Sequence, residues 1–306
     1  MGIWSWVVFA VVVVGLMTLD MLVFHKSTRH RSVREAGMWS ALFVGTGLLF
    51  SLFVGFTRGT DAAMAYVTAF LIEQSLSVDN LFVFLALFTY FGVKREYQHR
   101  VLFWGIVGAI VMRGIFIFAG VALLSRFHWL IYVLGVLLIA TGAKLGLSDS
   151  EQVHPEKNLV VRWASRVLPL VREHHGQAFT VRVDGALRFT PLILVLLAIE
   201  STDLMFAVDS VPAVLAVSRD PFVVYTSNIF AVIGLRALYS FLAGALSSLR
   251  FLQPALALVL VLIGAKMLLS EVYEVPTAVS LLVVAVVLGA ATALSLAFPK
   301  PRTHTD

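Results

Sequence analysis

Nine runs of mostly apolar residues, most of them about as long as a bilayer is thick, set what this chain can fold into. They lie at about 4–24, 37–56, 64–91, 101–124, 130–147, 190–217, 222–246, 254–271 and 277–298. A helix crossing hydrocarbon needs roughly 20 such residues. Only a helix or a closed barrel satisfies its own backbone where water is absent. The composition agrees: of 306 residues, 59% are hydrophobic and 13% charged, where a soluble domain carries about 25% charged residues. The sequence predicts an all-α membrane protein with about nine transmembrane helices. The fifth and eighth runs are short, and the 64–91 run is long enough to tilt or be interrupted. The absence of cysteine excludes disulfides, thiolate metal sites and thiol redox chemistry on this chain. Met1–Trp6 carries no Lys or Arg and the apolar run continues to Phe24, which does not resemble a cleavable signal.

Charge in the connections predicts orientation. Odd-numbered connections and the C-terminal tail hold sixteen Lys and Arg residues, among them Lys94, Arg95, Arg162, Arg166 and Arg188, whereas even-numbered connections hold only Arg58, Arg126 and Arg219. By the positive-inside rule the N-terminus is outside and the C-terminus cytoplasmic. The basic balance of +5 is thus a topology signal, and no nucleic-acid partner is expected. The polar 148–189 segment is then a cytoplasmic loop, with an amphipathic surface helix near Leu159–Val171. It is the place for a cytoplasmic partner, and the chain leaves room for a homo-oligomer.

The chain repeats itself. Val78-Asp79-Asn80 matches Val208-Asp209-Ser210, Arg113 matches Arg236, and Gly142-Ala143-Lys144 matches Gly264-Ala265-Lys266, at offsets of 130, 123 and 122. Each unit holds three helices (3–5 and 6–8), and an odd number inverts the second unit relative to the first. Inverted repeats with a site at the midplane are a common plan for secondary transporters. The expected division is a single transmembrane domain over 1–306: two leading helices (1–63), a first repeat (64–149), the loop (150–189), a second repeat (190–271), and a last helix and tail (272–306).

Two acidic clusters lie inside these apolar runs: Glu73-Gln-Ser-Leu-Ser-Val-Asp79-Asn80 and Asp203-Leu-Met-Phe-Ala-Val-Asp209-Ser210. A charged side chain at bilayer depth costs at least about 2.5–3.5 kcal/mol on insertion scales, so duplicated acids suggest one site built twice. Asp20 and Glu200 are further acids at depth. Arg113 and Arg236 are the central bases, Asn228 adds an amide, and the histidines fall outside the spans or at their ends. This oxygen-donor set suits hard divalent cations rather than Cu⁺ or Zn²⁺. Glu73, Asp79, Asp203 and Asp209 are the candidate metal ligands, completed by Asn80 and Ser210. Arg113 and Arg236 are candidate charge-compensating partners, with Asp20, Glu200 and Asn228 as further polar groups. A structural ion-pair network is the plainer alternative for the same residues. Glu73 and Asp79 would point about 120° apart on an unbroken helix. A break near Pro212, and near the Ser- and Asp-rich stretch 75–80, would let both acids of each motif face inward.

The two motifs, together with Thr226-Ser-Asn228-Ile-Phe-Ala-Val-Ile-Gly-Leu-Arg236-Ala-Leu-Tyr239, resemble the TerC/Alx family of integral membrane proteins over nearly the whole chain. That resemblance implies membership of the wider LysE-like exporter group and a role in metal homeostasis, with Mn²⁺ efflux as the activity. It also implies an association with tellurium resistance, for which the residues supply neither thiols nor an evident oxyanion pocket. The expected protein is a multi-pass bacterial inner-membrane transporter. It is not an enzyme, holds no permanent cofactor, and exports Mn²⁺ or another hard divalent ion through the carboxylates in exchange for protons. A membrane-embedded aspartyl protease lacks its Gly-x-Gly-Asp signature here. A non-transporting metal sensor or scaffold is the rival reading.

Overall fold

The computed structural model describes residues 2–25, 33–127, 129–147, 159–171, 176–183, 185–242, 251–269 and 276–298. They form helices α1 (Ile3–His25), α2 (Val33–Arg58), α3 (Thr60–Tyr90), α4 (Arg95–Arg126), α5 (Leu130–Leu147), α6 (Leu159–Val167), α7 (Pro191–Val217), α8 (Pro221–Leu242), α9 (Leu252–Leu269) and α10 (Thr277–Ala297). A two-stranded hairpin, β1 (Thr180–Val183) and β2 (Ala186–Phe189), lies between α6 and α7. The expected apolar runs each coincide with a helix. Six of these helices (α1, α2, α4, α5, α7 and α10) are long and apolar enough to cross a bilayer on their own. The protein is an all-α membrane protein apart from the hairpin.

Local chemistry sets the element ends. Gly59, at φ 89°, turns the chain between α2 and α3 in one residue, a conformation that costs a side-chain-bearing residue energy. Gly92, at φ 61°, closes α3. The Val93 amide there donates to the Phe88 carbonyl at 2.9 Å and the Gly92 amide to the Thr89 carbonyl at 3.1 Å, which satisfies carbonyls at the helix end. Pro191 opens α7 at a position where its missing N–H costs nothing. The amphipathic helix expected near 159–171 ends earlier, at Val167, just before Pro169. Its sequel is stitched to β2: the Val171 amide donates to the Phe189 carbonyl, and the Phe189 amide to the Pro169 carbonyl, both at 2.9 Å.

Helices α3, α4, α7 and α8 form the centre. α3 packs on α8 and α7, and α4 packs on the same two helices. α2 covers α3 and α8, and α10 lies against α3 and α9. α5 packs closely along α9. A Cβ on Gly142 would sit 2.7 Å from the Ala257 carbonyl oxygen, and one on Gly264 would sit 2.7 Å from the Gly135 carbonyl oxygen. These contacts are reciprocal: Gly142 and Gly264, and likewise Gly135 and Ala257, are separated by 122 positions, the offset of the sequence repeat.

The expected break at the two acidic motifs is absent. α3 and α7 run as continuous helices through 73–80 and 203–210, with Pro212 inside α7. Two hydroxyls at the motifs bond back within their helices. Ser75 Oγ donates to the Leu71 carbonyl and Thr202 Oγ1 to the Ala198 carbonyl, each at 2.7 Å, a placement that leaves the helical ladder intact.

Candidate functional site

Glu73 on α3, Arg113 on α4, Asp203 on α7 and Asn228 on α8 meet where the four central helices converge. Arg113 is 1% exposed, Glu73 1% and Asp203 5%. The guanidinium grips Asp203 with two bonds: Nε donates to Oδ2 at 3.1 Å and Nη2 to Oδ1 at 3.0 Å. Nη1 donates to Glu73 Oε2 at 2.7 Å and to Asn228 Oδ1 at 3.2 Å. Asn228 Nδ2 closes the ring on Glu73 Oε1 at 2.6 Å. Planar, bidentate pairing of this kind is what a guanidinium does better than an ammonium. The two acids held by one arginine are 130 positions apart, equivalent points of the two repeats.

Among the described residues the formal charges do not balance. Two carboxylates and one guanidinium leave the ring at −1, and Glu200 lies one turn before Asp203 on the same face of α7. A methyl group on Gly108 of α4 would overlap the Glu200 carboxylate, so the absence of a side chain there is what lets the acid lie against α4. Glu200 Oε2 is buried with no hydrogen-bond partner among the described residues. Buried Ser77 Oγ and Ser210 Oγ share that condition. Ser77 is one turn beyond Glu73 on the same face, and its signal in the sequence is that i+4 spacing.

The remaining candidates occupy other levels. Asn80 and Ser210 are buried, but each lies seven residues beyond its partner acid, about 10 Å along its helix. Asp20 is buried on α1. Asp79, Asp209 and Arg236 lie on α3, α7 and α8, but their side chains fall outside the described residues. Among the described residues no three acids or histidines gather as a metal-ligand set.

The two sides of the ring differ. A small apolar cavity, lined by Phe84, Leu102, Ile106, Ile199 and Val232 among others, reaches Asp203, its only charged wall among the described residues. Its lining lies between the ring and the helix ends that join the 91–94 connection and the 148–189 segment. Aromatic rings of α1, α2 and α8 cluster mostly toward the opposite ends of the helices. Phe50 and Phe230 centroids are 4.7 Å apart, those of Trp6 and Phe222 5.0 Å, and those of Phe9 and Tyr225 5.7 Å. An Arg58–Asp220 ion pair closes that side. The Arg58 guanidinium lies 4.4 Å over the Phe222 ring, and Asp220 Oδ1 accepts from the Phe222 amide at 2.9 Å, capping α8.

Comparison with known proteins places this architecture. The chain is 44% identical over 291 residues to "Uncharacterized membrane protein STKORF319" of Myxococcus xanthus, covering 95% of this chain and 91% of that protein. It is 44% identical over 288 residues to "Putative membrane-bound redox modulator Alx" of Salmonella typhi, covering 91% and 89%. A membrane protein of Rickettsia felis matches at 37% identity, covering 91% and 93%. No solved structure matches. The sequence model of the integral membrane protein TerC family matches residues 58–303, which takes in all four helices of the ring. The chain is a multi-pass integral membrane protein and belongs to the TerC family.

Proposed function

We propose that this protein is a secondary transporter that exports divalent metal ions, Mn²⁺ foremost, in exchange for protons. The observation that carries the reading is the Glu73–Arg113–Asp203–Asn228 ring: equivalent acids of two repeats, buried between four helices, held by one arginine and left, among the described residues, with a surplus carboxylate. An isolated structural pair would balance itself. A site that must accept a cation keeps surplus carboxylate. In this reading Arg113 neutralises the metal-free site. An arriving cation displaces it and takes Glu73 and Asp203, with Asp79, Asn80, Asp209 and Ser210 supplying further oxygens as the helices shift.

The asymmetry of the two sides supports a resting state accessible from the 91–94 and 148–189 side. By the positive-inside count that side is the cytoplasm of a bacterial inner membrane. The reciprocal α5–α9 contact supports an inverted repeat of three-helix units within nine crossings, the plan that permits alternating access by rocking one unit on the other. Moving a divalent ion outward against about 100 mV costs roughly 4.6 kcal/mol, which inward protons offset. The name of the Salmonella relative describes a redox modulator. With no cysteine on this chain, a redox effect here follows from metal balance rather than thiol exchange.

The test is Mn²⁺ flux into inside-out vesicles containing purified protein, with and without a pH gradient, beside Asp79→Asn. Proton-dependent uptake lost in the variant supports the exchanger. Stoichiometric Mn²⁺ binding with no flux replaces it with a metal sensor or scaffold whose output surface is the 148–189 segment.

A further inference from the structure

We infer that α6 is an anchor for anionic phospholipid: it lies in the bilayer–water boundary, puts Leu159, Trp163 and Val167 among the acyl chains, and holds acidic headgroups with Arg162 and Arg166. The helix carries three stripes. Val161 and Ala164 are buried, and Val161 joins the apolar cluster of Leu192, Val195, Ala198 and Ile199 on the first turns of α7. Leu159, Trp163 and Val167, spaced by four, are 69%, 66% and 57% exposed. Arg162 and Arg166, also spaced by four, are exposed on the next sector. At 100° per residue the exposed apolar stripe and the arginine stripe lie side by side, and both point away from α7.

Water is a poor neighbour for the apolar stripe, and a helix of nine residues does not persist on its own propensity. Here it is packed on α7 and fixed on its C-terminal side. The segment after it is bonded to β2, and Thr190 at the start of α7 ties the hairpin down through its amide to the Phe179 carbonyl at 2.9 Å and its hydroxyl to the Ala178 carbonyl at 2.7 Å. The stripe is therefore held out deliberately, at the end of a span, where hydrocarbon gives way to headgroups. A tryptophan and aliphatic residues beside a row of arginines is the composition that binds an anionic interface. The polar sector carries no acid to oppose it: Ser165 completes it. Because α6 packs on α7, whose Ile199 lines the cavity below Asp203, headgroup binding bears on the helix that carries the site. The anchor itself stands whatever ion the protein moves.

The cysteine-free chain makes the test clean. Single cysteines replace Leu159, Arg162, Trp163, Arg166 and Val167 in turn in the full-length protein, each is spin-labelled, and the protein is reconstituted in vesicles of phosphatidylglycerol and phosphatidylcholine. Accessibility to oxygen and to a water-soluble nickel chelate is then read. Oxygen should dominate at 159, 163 and 167 and nickel at 162 and 166. The oxygen preference at 163 should fall at least severalfold in pure phosphatidylcholine, and equally in R162Q/R166Q with phosphatidylglycerol present. Nickel access at 163 overturns the proposal in favour of a solvated helix. Shielding of 159, 163 and 167 from both reagents overturns it in favour of a protein partner or a second copy. Equal depth in both lipids overturns the anionic recognition.

Discussion

Replacing Arg113 by Gln tests the ring most directly. The substitution removes the only cation among Glu73, Asp203 and Asn228, together with four N–H···O contacts of 2.7–3.2 Å. Glu73 and Asp203 remain, almost wholly buried, and the charge of the ring falls from −1 to −2. Removing one partner of a buried ion pair costs about 3–5 kcal/mol. A glutamine amide can replace one of the four contacts but none of the charge, so the full cost is expected. For a protein of this size that corresponds to a melting temperature roughly 6–20 °C lower, read by thermal unfolding in detergent micelles at neutral pH. The neutral triple variant Glu73→Gln/Arg113→Gln/Asp203→Asn keeps the shapes and donors but no charge, and most of the loss should return. An Arg113→Gln protein within about 2 °C of wild type, or a triple variant no more stable than the single one, would refute the claim that charge compensation holds these helices together.

Asn228→Leu removes the amide bridging Glu73 and Arg113, and about 1.5–3 kcal/mol of stability should go with each charge-assisted bond lost, measurable in the same assay. Gly264→Ala brings a methyl within 2.7 Å of the Gly135 carbonyl oxygen, and backbone cannot yield as a side chain does. A loss of about 1–3 kcal/mol is expected, whereas Gly289→Ala, which meets nothing within 4 Å, should be neutral or slightly stabilising. Gly108→Ala should move the Glu200 carboxylate and lower Mn²⁺ flux more than it lowers stability, because the obstacle is the end of a flexible side chain. Asp220→Ala loses both the Arg58 pair and the α8 cap, and about 0.5–2 kcal/mol should follow.

The residues that carry the ring were legible before any fold was known, because apolar surroundings make each buried charge conspicuous. Glu73, Arg113, Asp203, Glu200 and Asn228 stood out for that reason, and so did the repeat that relates Glu73 to Asp203. That the acids of the two motifs belong to one site was legible too, but not which arginine holds which acid. Six-residue spacing within each motif drew attention to Glu73 with Asp79 and to Asp203 with Asp209. The structure joins Glu73 to Asp203 across helices through Arg113, while the side chains of Asp79 and Asp209 lie outside the described residues. The expected helix break is absent: Ser75 and Thr202 bond back within their own helices, and both motifs stay helical. The hairpin was announced by Asp184-Gly185, a two-residue turn signal, obscured by the basic, polar composition of its loop.

Local chemistry decided, from sequence alone, that this chain crosses a membrane as helices and roughly where those helices lie, through its runs of apolar residues; several ends differ by up to six residues, as at α4, which starts at Arg95 rather than 101. Tertiary structure decided what sequence spacing cannot express. Which acid faces which arginine depends on how four helices are rotated against one another. That one side of the ring is a cavity and the other a wall of aromatic rings depends on which side chains from α1, α2, α4 and α8 arrive at the same depth. Those relations are fixed by packing between segments 40 to 155 residues apart, and so they exist only in the assembled bundle.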